Sequence, residues 1–195
     1  MDSRIIKTKK GLKDAVIRLL ENKPFEKITV SDICKESITS RITFYTYYQD
    51  KYDLADEMFD DYINEADANY HKMSKDLKQE KDSEINYELL LECILCLVYD
   101  NYAFFSHTGS TENPYLFSEF YNHVYRNVGD YMTRHKALVS NYPVHQTATL
   151  LCNGFFGVIH SCISDKLTED KTREIASSMY RDILSSNIFK KRKAK

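Results

Sequence analysis

The chain has 195 residues, 43% of them hydrophobic and 29% charged, the balance of a folded globular protein and not of a disordered or fibrous one. Gly (5) and Pro (3) are too few for the tight turns of a β-sandwich or barrel, so long helices with few connections are expected. The net charge of −2 conceals a division, because residues 1–54 hold eleven basic against eight acidic side chains, residues 55–189 hold eleven against twenty-one, and KKRKAK at 190–195 is basic. A basic N-terminal module on an acidic body predicts an anionic partner at one end.

Between Lys7 and Asn22 the apolar residues Leu12, Ala15, Val16, Leu19 and Leu20 recur at helical spacing, and Lys23-Pro24 ends the pattern. Phe25 and Ile28 lie in the connection and are expected to pack inward. Thr29 can cap a short second helix, with Asp32 at the capping-box position and Val30, Ile33 and Cys34 as its buried face. Ser40 can cap a third, from Arg41 to about Tyr48, with Phe44 and Tyr48 as the inward i, i+4 pair. Asp50 can cap a fourth. One longer helix followed by two short ones is the arrangement of a helix-turn-helix. Once Phe44 and Tyr48 point inward, Arg41, Thr43, Tyr45 and Tyr47 remain on outer faces. The helix start at Ser40 offers free amides and a positive dipole end to a phosphate or a base edge.

Beyond Asp50 the reading is helical throughout. One helix is predicted from Lys51 to about Lys75, then the charged connector KDLKQEKDSE, then a helix capped by Ser83 and running to about Phe105. Asn113-Pro114 opens a helix expected to break near Gly129, Pro143 starts one lasting to about Asp165, and Thr168 caps the last, to about Asn187. That is nine helices, give or take one, with no repeat at a fixed period.

No N-terminal signal peptide is read, since Ile5 and Ile6 are followed at once by Lys7, Lys9 and Lys10. The most apolar stretch, Ala148 to Ile163, contains Asn153, His160 and Ser161 and reads as a buried helix, not a membrane span. Five cysteines, Cys34, Cys93, Cys96, Cys152 and Cys162, are an odd number among apolar residues, which is reduced, cytoplasmic usage.

The segments ITVSDICKES and SRITFYTYYQDKYDL resemble the DNA-binding domain of the TetR family of bacterial regulators. The resemblance covers about the first 55 residues. Beyond them it rests on length, helical content and layout. It implies an all-α fold with a helix-turn-helix domain at 1–50, a helical effector-binding and dimerisation domain at 51–189, and a basic tail at 190–195. It places Arg41, Ile42 and Thr43 at the base-facing start of the recognition helix. Thr29, Tyr45, Tyr47 and Lys51 fall at positions that hold phosphates. Their chemistry agrees: hydroxyls and an ammonium suit phosphate oxygens, Arg can read guanine bidentately, and Ile42 or the Thr43 methyl can touch a thymine methyl. One departure stands out. Ile38 occupies the turn where the family has Gly, and a β-branched residue there is strained.

The last two helices, around CNGFFGVIHSCI and REIASSMYRDIL, resemble the family's dimerising pair, with Phe156, Ile159, Ile163, Ile175, Met179 and Ile183 as interface candidates. The aromatic-rich second domain suggests a partly apolar effector pocket, for which Tyr99, Tyr102, Phe105, Phe120, Tyr121 and Phe155 are candidates. Cys93 and Cys96 form a CxxC on one helix face beside leucines, with no second pair and no nearby His, and read as core. His123, His135, His145 and His160 do not repeat at metal-ligand spacing. No Gly-rich phosphate loop, nucleophile elbow or HExxH is present, so neither catalysis nor a cofactor is expected. The expected protein is a cytoplasmic, homodimeric, ligand-responsive repressor on a palindromic double-stranded DNA operator. The alternative is a TetR-like co-regulator that acts through another protein.

Overall fold

The structure, a computed structural model, describes residues 3–76, 83–134 and 138–191. The middle of the expected charged connector (77–82), His135 and residues 192–195 of the basic tail lie outside the described residues. The fold is all-α with nine α-helices among the described residues, and it divides into two compact units.

The first unit comprises Met1–Ile63 and Asn101–Phe120. Helix α1 (Ser3–Leu20) buries Leu12, Ala15, Val16 and Leu20, four of the five residues that mark its apolar stripe in sequence. A single 3-10 turn (Phe25–Lys27) follows Pro24, then α2 (Val30–Glu36), α3 (Arg41–Tyr47) and the long α4 (Lys51–Asp76). Phe25, Ile28, Ile33, Phe44, Leu54, Met58 and Phe59 fill the space between them. The short α6 (Tyr102–Phe105) and the start of α7 (Pro114–Arg134) complete this core. Phe104 meets Phe59 edge-on at 5.5 Å, and Phe105 lies 4.6 Å from Phe120. Asn113 anchors the α7 start by accepting the Phe25 amide on its side-chain oxygen, at 2.5 Å, and by donating to the His107 carbonyl at 2.6 Å. The expected boundary at residue 50 marks the start of α4, whereas the compact units divide that helix after Ile63.

The second unit comprises Asn64–Asp100 and Tyr121–Lys195. Helix α5 (Ser83–Asp100) packs on α9 (Glu169–Ser185), and α8 (Val144–Ser164) packs on α9 as well. Two corrections to the expected helices arise. The helix expected to reach Phe105 stops at Asp100, where Asn101 leaves helical geometry (φ −118°, ψ 35°) and starts α6. The helix expected to break near Gly129 runs through it to Arg134, since one glycine costs a helix interior only about 1 kcal/mol relative to alanine, too little to end a long packed helix. A small antiparallel ribbon, β1 (Leu138–Ser140) with β2 (Phe189–Lys191), pairs Ser140 with Phe189. At three residues each, these strands are too short to leave a period in the sequence. Helix α8 is long and apolar enough to cross a membrane by length and composition alone. It is two-sided, however: Ala148, Leu151, Cys152, Phe156, Ile159 and Cys162 are buried, while Asn153, His160 and Ser161 are exposed.

Candidate nucleic-acid interface

Helix α2 begins with a complete capping box. The Asp32 amide donates to the Thr29 hydroxyl at 3.2 Å, and the Asp32 carboxylate accepts from the Thr29 amide at 2.9 Å. The Thr29 hydroxyl itself donates to that carboxylate at 2.7 Å, and Lys23 pairs with it at 2.7 Å. This corrects the phosphate role expected of the Thr29 hydroxyl, whose proton is already committed. Lys23 first, and Thr29 after it, hold the Asp32 carboxyl well below the usual carboxylate range. A folded-state pKa below the unfolded one stabilises the fold above the unfolded value and loses that contribution as pH falls through the folded value. An NMR titration should therefore find Asp32 still ionised below pH about 4, with α2 amide protection declining only in stronger acid. Asp32→Ala should cost about 1 kcal/mol in denaturant melts, the worth of a cap.

The end of α2 decides the pose of α3. The Thr39 amide donates to the Cys34 carbonyl at 2.9 Å and the Ile38 amide to the Lys35 carbonyl at 3.3 Å. This is the paired closure that places one residue in the left-handed region. That residue is Ile38, at φ 54°. The turn thus keeps the shape a glycine would give it. A β-branched side chain in this region costs about 1–2 kcal/mol, and here it is 96% exposed.

Helix α3 starts at Ser40, whose Oγ accepts from the Thr43 amide at 3.0 Å and lies 2.8 Å from the Thr43 hydroxyl. Phe44 and Tyr48 are buried as their i, i+4 spacing predicts. Ile42 is 84% exposed and Tyr45 58% exposed on the outside. Arg41 is exposed too, and its guanidinium donates back to the Ser31 hydroxyl on α2. Thr43 and Tyr47 are half-buried, and the Lys9 ammonium lies 5.9 Å from the centre of the Tyr47 ring. The structure therefore brings Arg41, Ile42 and Tyr45 together as an outward face, with Thr43 and Tyr47 at its margins.

Lys51 needs the largest correction. Its side chain turns inward, and its Nζ donates to the carbonyls of Phe25 (2.8 Å), Glu26 (2.9 Å) and Ile28 (2.9 Å). All three ammonium protons are taken, so the side chain is no phosphate contact. Burial lowers its pKa, against the opposing charges of Glu26 and Asp50. The 3-10 turn leaves three carbonyls converging on one point, and a lysine at the first position of α4 is long enough to reach them.

Glu57 is a residue that the sequence reading missed. It pairs with Lys9 at 2.5 Å and Lys13 at 2.7 Å and accepts from the Tyr48 hydroxyl at 3.2 Å, while Lys13 also pairs with Asp61 at 2.5 Å. Burial works against this carboxylate, but the Lys13 and Lys9 ammonium groups outweigh it and hold its pKa below the ordinary value. The signal was present: Lys9 and Lys13 on α1, and Glu57 and Asp61 on α4, stand at the same i, i+4 spacing. The network ties the end of α3 to both helices beneath it.

The residues proposed for an effector pocket are divided between the two units. Phe105 and Phe120 are buried in the aromatic core of the first unit, and Tyr102 is exposed there. In the second unit, Tyr121 stacks on Tyr125 at 5.8 Å and accepts from the Asn153 amide at 3.1 Å, and Tyr99 has its hydroxyl buried. Phe155 lines an apolar cavity of the second unit, with Leu90, Leu91, Ile94, Val124, Leu151 and Tyr180. Its volume of about 20 Å³ holds little more than a water molecule. Leucines and valines carry this cavity, and a search for aromatics overlooked them.

The expected dimer residues also divide. Phe156 and Ile159 are buried inside the protomer and cannot form its outer surface. Ile163, Ile175 and Ile183 are half-buried, and Met179 is exposed. The outward side of α8 carries Leu150, Gly154, Gly157 and Ser161 instead. Cys93 is buried, and burial first, then the neighbouring Cys96, pushes its thiol up to about 11, the behaviour of a packed core cysteine.

Residues 12–58 match the model for the family described as bacterial regulatory proteins, tetR family. No curated protein matches the chain. The fold is similar to that of a protein assigned to the TetR-family transcriptional regulators, from Syntrophomonas wolfei str. Goettingen, with a TM-score of 0.72 and 14% identity over 92% of this chain and 95% of that one. It is also similar to that of the fatty acid degradation regulator FadR from Bacillus halodurans, with a TM-score of 0.67 and 11% identity over the same shares of both chains. At such identities the shared property is the fold.

Proposed function

We propose that this chain, whose N-terminal domain belongs to the TetR family of bacterial regulators, is a cytoplasmic, homodimeric repressor that binds a palindromic operator and releases it on binding a partly apolar effector. The observation that carries the DNA-binding part is the outer face of α3. It presents Arg41, Ile42 and Tyr45, all exposed, beside a capped helix start. A gel shift with the DNA upstream of the chain's own gene tests it, and absence of salt-sensitive binding would overturn it.

Arg41 would supply the direct readout, since a guanidinium matches guanine O6 and N7 together. Its bond to Ser31 holds the guanidinium near the helix start before DNA arrives. Arg41→Ala should relax preference at one base step per half-site and weaken the preferred duplex by about 1–3 kcal/mol per contact. Equal weakening of all sequences in a binding selection would instead make Arg41 a phosphate contact.

Dimerisation through α8 and α9 is supported by their surfaces. Gly154 and Gly157 stand on the exposed side of α8 with no neighbour within 4 Å of where a Cβ would lie. Each glycine lowers helix stability by about 0.5–1 kcal/mol. A bare, glycine-lined helix flanked by exposed Leu150 and Met179 suits close approach by a second copy. Two recognition helices would then meet half-sites about one DNA turn apart. An effector held against Leu90, Ile94 and Phe155 would have to widen this small space. It shifts the regulator only by preferring that opened state. The exposed apolar residues Ile38 and Ile42 favour a second reading, a co-regulator that binds a protein through α3, and the same gel shift separates the two.

A further inference from the structure

We propose that Ile38 is itself a specificity residue, whose side chain makes an apolar contact with a thymine methyl in each operator half-site. The inference rests on the DNA-binding reading above and goes beyond it by assigning a role to the turn. Among the described residues two non-glycine residues have positive φ, Ile38 and Lys166, at 54° and 55°. Both close a helix in the same way, since the Leu167 amide donates to the Cys162 carbonyl at 3.0 Å just as the Thr39 amide does to Cys34. Lys166 has a local reason to be there, because its cation lies at the negative end of α8. Ile38 has none. Its side chain is 96% exposed, and glycine would fit the turn without strain. A strained residue that contributes nothing to the packing of its own domain points to a contact made elsewhere.

The position says where. Ile42 and Tyr45, also exposed, follow four and seven residues later, and Arg41 lies between. Ile38 is therefore continuous in sequence with the base-facing start of α3, extending it across the turn. In the major groove the thymine C5-methyl is the apolar group that base edges offer. Duplex DNA is the occupant that this continuity favours.

The test begins with binding selection from random duplexes by the wild type and by Ile38→Gly. Deoxyuridine then replaces each thymidine of the selected site in turn, which removes the methyl and nothing else. Ile38→Gly should melt about 2–4 °C higher, bind with the same salt dependence, and lose its preference for thymine at one position per half-site. Deoxyuridine there should weaken the wild type roughly four- to tenfold and leave the glycine variant unaffected. Ile38→Asn, which tolerates the same φ, should behave like the glycine variant. If every deoxyuridine is neutral for the wild type, or Ile38→Gly keeps the full preference, the inference fails while the DNA-binding reading stands. If the wild type selects no sequence, both fail, and the exposed turn belongs to a protein contact.

Discussion

Gly157→Arg should turn a dimer into a monomer while leaving the protomer folded. The site lies on the exposed side of α8, and a Cβ there meets nothing within 4 Å. Within the protomer the change replaces a poor helix former by a good one, worth about 0.5–1 kcal/mol in favour of the helix. Any loss therefore comes from the second copy that the arginine excludes. Sedimentation at micromolar concentration should show the wild type as a dimer and the variant as a monomer with unchanged helical circular dichroism. Affinity for a two-half-site duplex should fall by about 10²–10⁴-fold, the avidity that linkage of two sites provides. A variant that remains dimeric would move the interface away from this face of α8. Phe156→Asp makes the contrast. Phe156 is buried in the protomer core, so that change should unfold the chain before it dissociates anything.

Lys51→Ala should destabilise the N-terminal unit by about 3–5 kcal/mol and lower Tm by roughly 10 °C. The substitution removes one donor group from three carbonyls, those of Phe25, Glu26 and Ile28. It also removes a cation lying 4.8 Å from the Phe25 ring centre and 5.1 Å from that of Tyr52. Lys51→Met keeps most of the aliphatic stem and isolates the hydrogen-bonding part. It should lose most of the same stability, because the orphaned carbonyls remain. For DNA, the salt dependence of affinity in either variant should match the wild type under conditions where both are folded. A flattened salt dependence with unchanged stability would return Lys51 to the phosphate backbone and refute the buried geometry.

Much of this molecule was legible in its residues because the governing interactions are local. The caps at Thr29, Ser40 and Thr168 each lie three residues from the amide they satisfy, so the helix starts could be read directly. The apolar stripe of α1 and the inward pair Phe44 and Tyr48 follow from the helical period alone. The left-handed turn at Ile38 was suggested only by the family resemblance, which has a glycine there, and the structure decided that the turn keeps that shape. Distant partners decided what the sequence could not. Lys51 reads as a surface cation until three carbonyls some twenty-five residues earlier converge on it. Phe105 and Phe120 read as pocket aromatics until α6 and the start of α7 join the first unit, while Phe156 and Ile159 read as an outer surface until α8 turns that side inward. A helix with apolar residues on more than one face does not announce which face its own core will take. That choice is made by long-range packing, where burial of apolar area outweighs any preference encoded within a turn or two of the helix.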